Sequence, residues 1–297
     1  MFIDIHVHTR MFQGPERNGT GGGRFATPEE LIAMLKHQGV SAACALPAVN
    51  PECSWAIQSN EEILWAAREY PDFIIPFMNL DPRQNSNSPD ADLAYQMQFY
   101  AEEGCKGIGE VCASLPFDDP RMENLFKHAQ DCKLSITFHI APEKRGFYGI
   151  IDELGLPGLE GALAKFPELK FLGHSQPFWA EISGDLELSQ RNSYPTGPVV
   201  EDGAVVRLMR DYPNLYGDLS AGSGHNAVSR DPQFGYAFMT EFQDRLFFGT
   251  DICDPRNQTP LIDFMNQAVE NGHITREVYQ KITHQNAQKL LGLEVTD

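Results

Sequence analysis

The segment Met1-Phe2-Ile3-Asp4-Ile5-His6-Val7-His8-Thr9 sets two histidines two positions apart at the end of an apolar stretch. In a strand, side chains two apart share a face and lie roughly 6–7 Å from each other along the chain. His6 and His8 would then present two imidazoles to one metal ion, with Ile3, Ile5 and Val7 packed on the opposite face. Two ordinary surface histidines would read the same way. What sets this pair apart is that ligand-type residues recur at the ends of later apolar segments: Glu110, His139, His174 and Asp251. Each has a plain alternative, such as a hydrogen-bonded histidine, a turn-capping aspartate or a glutamate paired with a nearby cation. Together they describe a ring of buried donors, and buried carboxylates of that kind need a compensating charge, which a divalent cation supplies.

The elements that must carry these residues alternate along the whole chain. Apolar, β-rich segments are predicted at 2–7, 41–46, 73–78, 105–110, 134–139, 169–173, 214–219 and 245–250. Helical patterns fall between them, the clearest beginning at Thr27-Pro28-Glu29-Glu30, where a cap residue, a first-turn proline and two acids precede an apolar-periodic run. Further helices are expected at 59–70, 90–103, 120–132, 157–166, 201–211 and 232–243, with three more closing the chain near 259–271, 275–282 and 284–291. Eight strands each followed by a helix is the count of a (β/α)8 TIM barrel, an α/β fold of about 250 residues. A doubly wound sheet is the alternative, but no glycine-rich dinucleotide loop follows the first strand. One domain over 1–297 is expected. The segments after the strands are long at 10–26 (with Gly19, Gly21, Gly22 and Gly23), 47–58, 79–89, 175–200 and 219–231. In a barrel they form the C-terminal mouth, where chemistry takes place.

Composition narrows the function classes. There are 41 acidic and 23 basic residues, a formal net charge of −18, which ill suits a phosphate backbone, so no nucleic-acid partner is expected. No run of about 18 apolar residues exists, so no membrane span is expected. The start shows no secretory pattern. The six cysteines (Cys44, Cys53, Cys105, Cys112, Cys132 and Cys253) show neither CxxC pairs nor clustering, and Cys44, Cys105 and Cys132 read as small buried hydrophobes. A reduced, cytoplasmic compartment is the expectation.

His6-Val7-His8, His139, His174 and Asp251, with the closing Ile282-Thr283-His284-Gln285-Asn286-Ala287 and Leu290-Leu291-Gly292-Leu293, resemble the amidohydrolase superfamily, specifically its amidohydrolase-2 branch. The resemblance spans essentially the whole chain and is specific for superfamily, not for substrate. It implies a metal-dependent TIM-barrel enzyme that activates water to cleave an ester, lactone, amide or related bond in a small, carboxylate-bearing molecule. His6, His8 and Asp251 match the strand-one and strand-eight ligands, and Asp251 also takes a proton from the attacking water. His139 matches the strand-five ligand; His174 is a second-metal ligand in binuclear members and a catalytic residue in mononuclear ones. Glu110 looks like the bridging glutamate of TatD-like hydrolases, which favours hydrolysis with two metals. Zinc fits the nitrogen-rich donor set, with manganese, nickel or iron as alternatives. Relatives often form homodimers.

Three competing readings stand beside hydrolysis. They are a mononuclear zinc-dependent non-oxidative decarboxylase of an aromatic or muconate-type acid, a TatD-like nuclease, and a non-catalytic metal-binding protein. For substrate contacts, Arg10, Lys144, Arg145 and Arg256 are candidate carboxylate clamps, or else solvated loop charges. Tyr148, Phe178, Trp179 and His225 are candidates to wall an apolar pocket.

Overall fold

Strands form within three residues of each of the eight apolar segments. The computed structural model describes residues 1–17, 22–53, 55–201 and 203–294; Gly19 and Gly21 of the first mouth loop lie outside that range. The chain opens with β1 (Phe2–Val7), α1 (Pro28–His37), β2 (Val40–Ala45), α2 (Asn60–Glu69), β3 (Ile74–Pro76) and α3 (Ala94–Glu102). It continues through β4 (Ile108–Val111), α4 (Pro120–Asp131), β5 (Ile136–Ala141), a short β6 (Ile150–Ile151), α5 (Pro157–Lys165), β7 (Phe171–His174) and α6 (Gln176–Ala180). The last part holds α7 (Ala204–Asp211), β8 (Leu215–Asp218), α8 (Ala221–Ser229), α9 (Pro232–Glu241) and β9 (Leu246–Phe247). Helices α10 (Pro260–Glu270), α11 (Arg276–Gln280) and α12 (Asn286–Leu291) close the chain.

All strand pairs are parallel, in the orders β1-β2-β3 and β4-β5-β7-β8-β9, with β6 appended to β5. Two single bridges complete the circle: Met78 to Ile108 joins β3 to β4, and Val7 to Ile252 joins the end of β9 to β1. The result is the expected eight-stranded (β/α)8 barrel.

Helix starts follow local chemistry. Thr27 and Glu30 form a capping box at α1, with Pro28 in the first turn. Asp119-Pro120 and Asp231-Pro232 repeat the cap-plus-proline device at α4 and α9. Two helices, α6 and α8, fall where only mouth loops were expected. Helix α8 is Ala-Gly-Ser-Gly-His-Asn-Ala-Val-Ser, in which two glycines weaken the helical signal. Gly224 is required by packing, since a β-carbon there would sit 2.2 Å from the Leu219 carbonyl oxygen.

The core divides between the two sides of the barrel wall. Ile136, Phe138, Phe171, Leu246 and Phe248 face the helix layer. Ile3, Cys44, Leu172 and Phe247 occupy the alternate positions and fill the interior, with Ile5, Leu46 and Phe77, above Ala287 and Leu291 of α12. This corrects the expectation for strand one, in which Ile3, Ile5 and Val7 share a face. Ile3 and Ile5 belong to the interior cluster and Val7 to the outer one. The pairing register of β1 against β2 shifts between Asp4 and Val7. A bulge of this kind changes which face the following side chains take, so His6 and His8 enter the mouth although Ile5 also points inward.

Candidate metal centre

His6 and His8 meet at the C-terminal end of β1, their Nε2 atoms 3.1 Å apart. The other nitrogen of each ring is committed elsewhere. His8 Nδ1 donates to the Leu46 carbonyl at 2.8 Å, and His6 Nδ1 donates to Asp218 Oδ2 at 2.6 Å. Both Nε2 atoms therefore face each other with room for a proton or a cation between them. Asp251 Oδ1 lies 3.7 Å from His6 Nε2 and 3.5 Å from His8 Nε2; Glu110 Oε2 lies 3.8 and 3.6 Å from the same atoms. A four-coordinate cation with bonds of about 2.0–2.1 Å places its donors roughly 3.3–3.4 Å apart, so these spacings suit one small divalent ion.

Glu110 spans two sets of donors. Its Oε1 takes a 2.7 Å hydrogen bond from His139 Nδ1 and lies 3.8 Å from His174 Nε2, while Oε2 faces the His6–His8 pair. His174 Nε2 also faces Asp251 Oδ2 at 3.7 Å, and its Nδ1 is 2.9 Å from Ser220 Oγ. All six ligand-type residues expected from the sequence thus converge on one mouth. His6, His8, Glu110 and His174 are buried, whereas the side chain of Asp251 keeps 26% exposure and opens toward solvent.

Electrostatics describe the same need for positive charge. Burial works against a charged His6, but Asp218, Asp251 and Glu110 outweigh it and raise the group to about 10. Burial likewise works against ionised Glu110, yet His139, His8 and His6 hold its carboxyl well below the usual range. Asp218, fully buried, is brought low by His6 and His174 against the same opposition. His174 is pushed down by burial and then by the charge on His6. Glu110 and Asp251 thus face the Nε2 pocket with Asp218 behind His6, and this negative charge favours a cation there, whether a proton on imidazole or a divalent ion. The donor set fits a metal.

The substrate-contact candidates fare differently. Tyr148 reaches the site, its ring 4.4 Å from that of His139, and burial with nearby Glu110 keeps its hydroxyl protonated. Arg10 turns to Glu62 at 3.4 Å, and Arg256 pairs with Asp254 at 2.8 Å. Lys144 lines a separate cavity of about 610 Å³ with Pro116, Phe117, Ile151 and Phe166; Arg145 is exposed. His225 sits half-buried on α8 in an edge-to-face contact with Phe264.

Phe178 and Trp179 do not wall a pocket. Both are core residues at 0% and 1% exposure. Gly173 leaves the space that the Phe178 ring fills, and Gly217 does the same for Trp179, at distances of 2.3 and 2.7 Å from where a β-carbon would stand. The indole Nε1 donates to the Asp218 carbonyl at 2.9 Å. Trp179→Ala should therefore lower folding stability by about 3–5 kcal/mol, as urea unfolding would measure.

Several contributors were not anticipated. Asp218 and Ser220, at and just past the end of β8, orient His6 and His174 from behind. Asp4 clasps the far side: its carboxylate accepts from the His6 and Thr250 backbone nitrogens and from Thr250 Oγ1, the last at 2.6 Å. This fixes the residue before Asp251, whose backbone has φ +53°, a left-handed conformation that aspartate tolerates. Burial raises Asp4 to about 7. Cys112 is fully buried beside Glu110 and His139, within the 4.8 Å spacing of a third donor set, and contacts the thiol of Cys53. Burial holds the Cys112 thiol well above its ordinary range. Asp218 and Ser220 were signalled by their place at the end of a β segment; the cysteines, 59 positions apart, gave no such signal.

Comparison with known proteins agrees with this geometry. No curated protein sequence matches the chain. Among solved structures, it resembles an uncharacterised TIM-barrel protein from Bordetella bronchiseptica, with TM-score 0.64, 15% identity and 98% of each chain covered. It also resembles 5-carboxyvanillate decarboxylase from Sphingomonas paucimobilis, with TM-score 0.60, 14% identity and 99% of each chain covered. A third is a probable 2-pyrone-4,6-dicarboxylic acid hydrolase from Acinetobacter baumannii, with TM-score 0.57, 12% identity and coverage of 98% and 99%. At these identities the likeness concerns the fold. The sequence profile of the amidohydrolase family (Amidohydro_2) matches residues 3–293, nearly the full chain, and the protein belongs to that family.

Proposed function

We propose that the protein is a metal-dependent hydrolase that cleaves an ester, lactone, amide or related bond in a small, carboxylate-bearing substrate. The observation that carries this reading is the meeting of Asp251 with the His6–His8 pair at a partly open barrel mouth. His6, His8 and Asp251 would hold one cation, with Glu110 between it and a second held by His139 and His174. Zinc fits the donors best. A bound divalent cation supplies Lewis acidity, lowering the pKa of water from 15.7 to about 7 and polarising the scissile carbonyl.

The protein's own part is positioning and proton handling. Asp251, half-open to solvent, is placed to accept a proton from the attacking water and pass it to the leaving group. Asp218 and Leu46 hold the two imidazoles in the tautomer that turns Nε2 into the mouth. The Tyr148 hydroxyl, kept protonated, is a donor for a substrate oxygen.

The acid-handling enzymes among its structural likenesses make lactones, esters and aromatic carboxylic acids the panel to test. Turnover in ¹⁸O-labelled water should place one solvent oxygen in the acid product, cease with a chelator and return with zinc. A decarboxylase is the second reading. His174 favours it, being buried, pushed toward its neutral form and facing Asp251, as suits a proton carrier. Carbon dioxide release without solvent-oxygen incorporation would establish that reading instead.

A further inference from the structure

A cysteine that the mechanism above does not use, Cys112, lies against two of its ligands. Cys112 Sγ, a Glu110 carboxylate oxygen and a His139 ring nitrogen all lie within 4.8 Å of one another. With metal–sulfur bonds of about 2.3 Å and metal–nitrogen or –oxygen bonds of about 2.0–2.1 Å, small side-chain rotations bring all three onto one ion. The thiol of Cys53 touches that of Cys112 from the loop between β2 and α2.

Asn50, itself fully buried, anchors both cysteines. Its side-chain oxygen accepts from the Cys112 backbone nitrogen at 2.7 Å, and its carbonyl accepts from Cys53 Sγ at 3.1 Å. The Asn50 amide nitrogen donates in turn to Asp81 at 2.8 Å. The pairing is therefore held by a polar scaffold reaching from the mouth into the wall. A simple space-filling thiol needs no such support. Glu110 already divides its two oxygens between the His6–His8 pair and the His139 side, the arrangement of a carboxylate shared by neighbouring cations.

We propose that Cys112 is a thiolate ligand to the second of these divalent cations, joining Glu110 and His139 on the side of it away from His174, and that Cys53 borders the same site. This rests on the metal-dependent reading above and adds a soft donor to it, which biases the second position toward thiophilic ions such as zinc or cobalt(II) and away from magnesium or manganese. As the sulfur–metal bond forms, the Cys112 S–H proton leaves to the buffer, so the cation replaces one proton on sulfur.

The test uses the full chain, stripped with chelator and reloaded with cobalt(II) under anaerobic conditions with a phosphine reductant. Wild type should bind about two equivalents and develop a sulfur-to-cobalt charge-transfer band in the near ultraviolet, besides the visible ligand-field bands. Cys112→Ser should lose that band and fall to about one equivalent with an unchanged circular dichroism spectrum. Cys253→Ser should keep it. Wild-type ligand-field bands without the near-ultraviolet band, or a band that survives in Cys112→Ser, would overturn the inference and leave the hydrolase reading standing. Absence of any bound cobalt would overturn both.

Discussion

Asp251→Asn should lower kcat/KM by about 10³-fold on whichever substrate the wild type turns over, within the range that loss of a general base produces. The substitution is nearly isosteric, and asparagine accepts the left-handed backbone at φ +53° as readily as aspartate does. The Asp251 backbone nitrogen, which donates to the His6 carbonyl at 2.8 Å, is unaffected, so the β9-to-β1 seam stays closed. Stability should therefore change by no more than roughly 0.5 kcal/mol. Steady-state kinetics, elemental analysis of bound metal and thermal unfolding separate these effects. Retention of more than a tenth of wild-type activity would remove Asp251 from its assigned role.

Asp218→Ala should damage both folding and metal binding, although Asp218 is set behind the ring. It and His6 are both fully inaccessible and joined at 2.6 Å. Removing one partner of such a pair leaves a buried group uncompensated, at a cost of about 3–5 kcal/mol, or a fall in Tm of roughly 5–8 °C for a chain of this size. Metal affinity should drop about 10–100-fold, as is common when the residue orienting a ligand imidazole is lost. Calorimetry on metal-free protein isolates the first effect, and competition with a chromophoric chelator the second. A metal affinity equal to wild type would mean that His6 is oriented without its carboxylate.

The barrel and six members of the ring were legible because a parallel barrel imposes simple rules. Its strands are short apolar segments, and its chemistry sits at their C-terminal ends. His6, His8, Glu110, His139, His174 and Asp251 obey those rules one strand at a time. Asp218 also lies at a strand end, but Gly217-Asp218 reads equally as a turn, and its meaning comes from a histidine 212 positions away. Trp179 misled for a different reason: an aromatic just after a ligand-bearing strand looks the same whether it walls a pocket or plugs the wall. The hole that settles the matter belongs to Gly217, on another strand. Arg10 and Arg256 were open to capture by local acids, Glu62 and Asp254, that no spacing rule foretells.

The seam between the first strand and the last has a bearing on how this protein is made. Asp4 clasps Thr250, and the imidazoles that leave the ribosome earliest must wait for Asp251 before their coordination sphere exists. At synthesis rates of about 5–20 residues per second, that interval is on the order of 10–50 s. On the metal-dependent reading proposed above, an ion would therefore be loaded only late in biogenesis, once the circle of strands shuts.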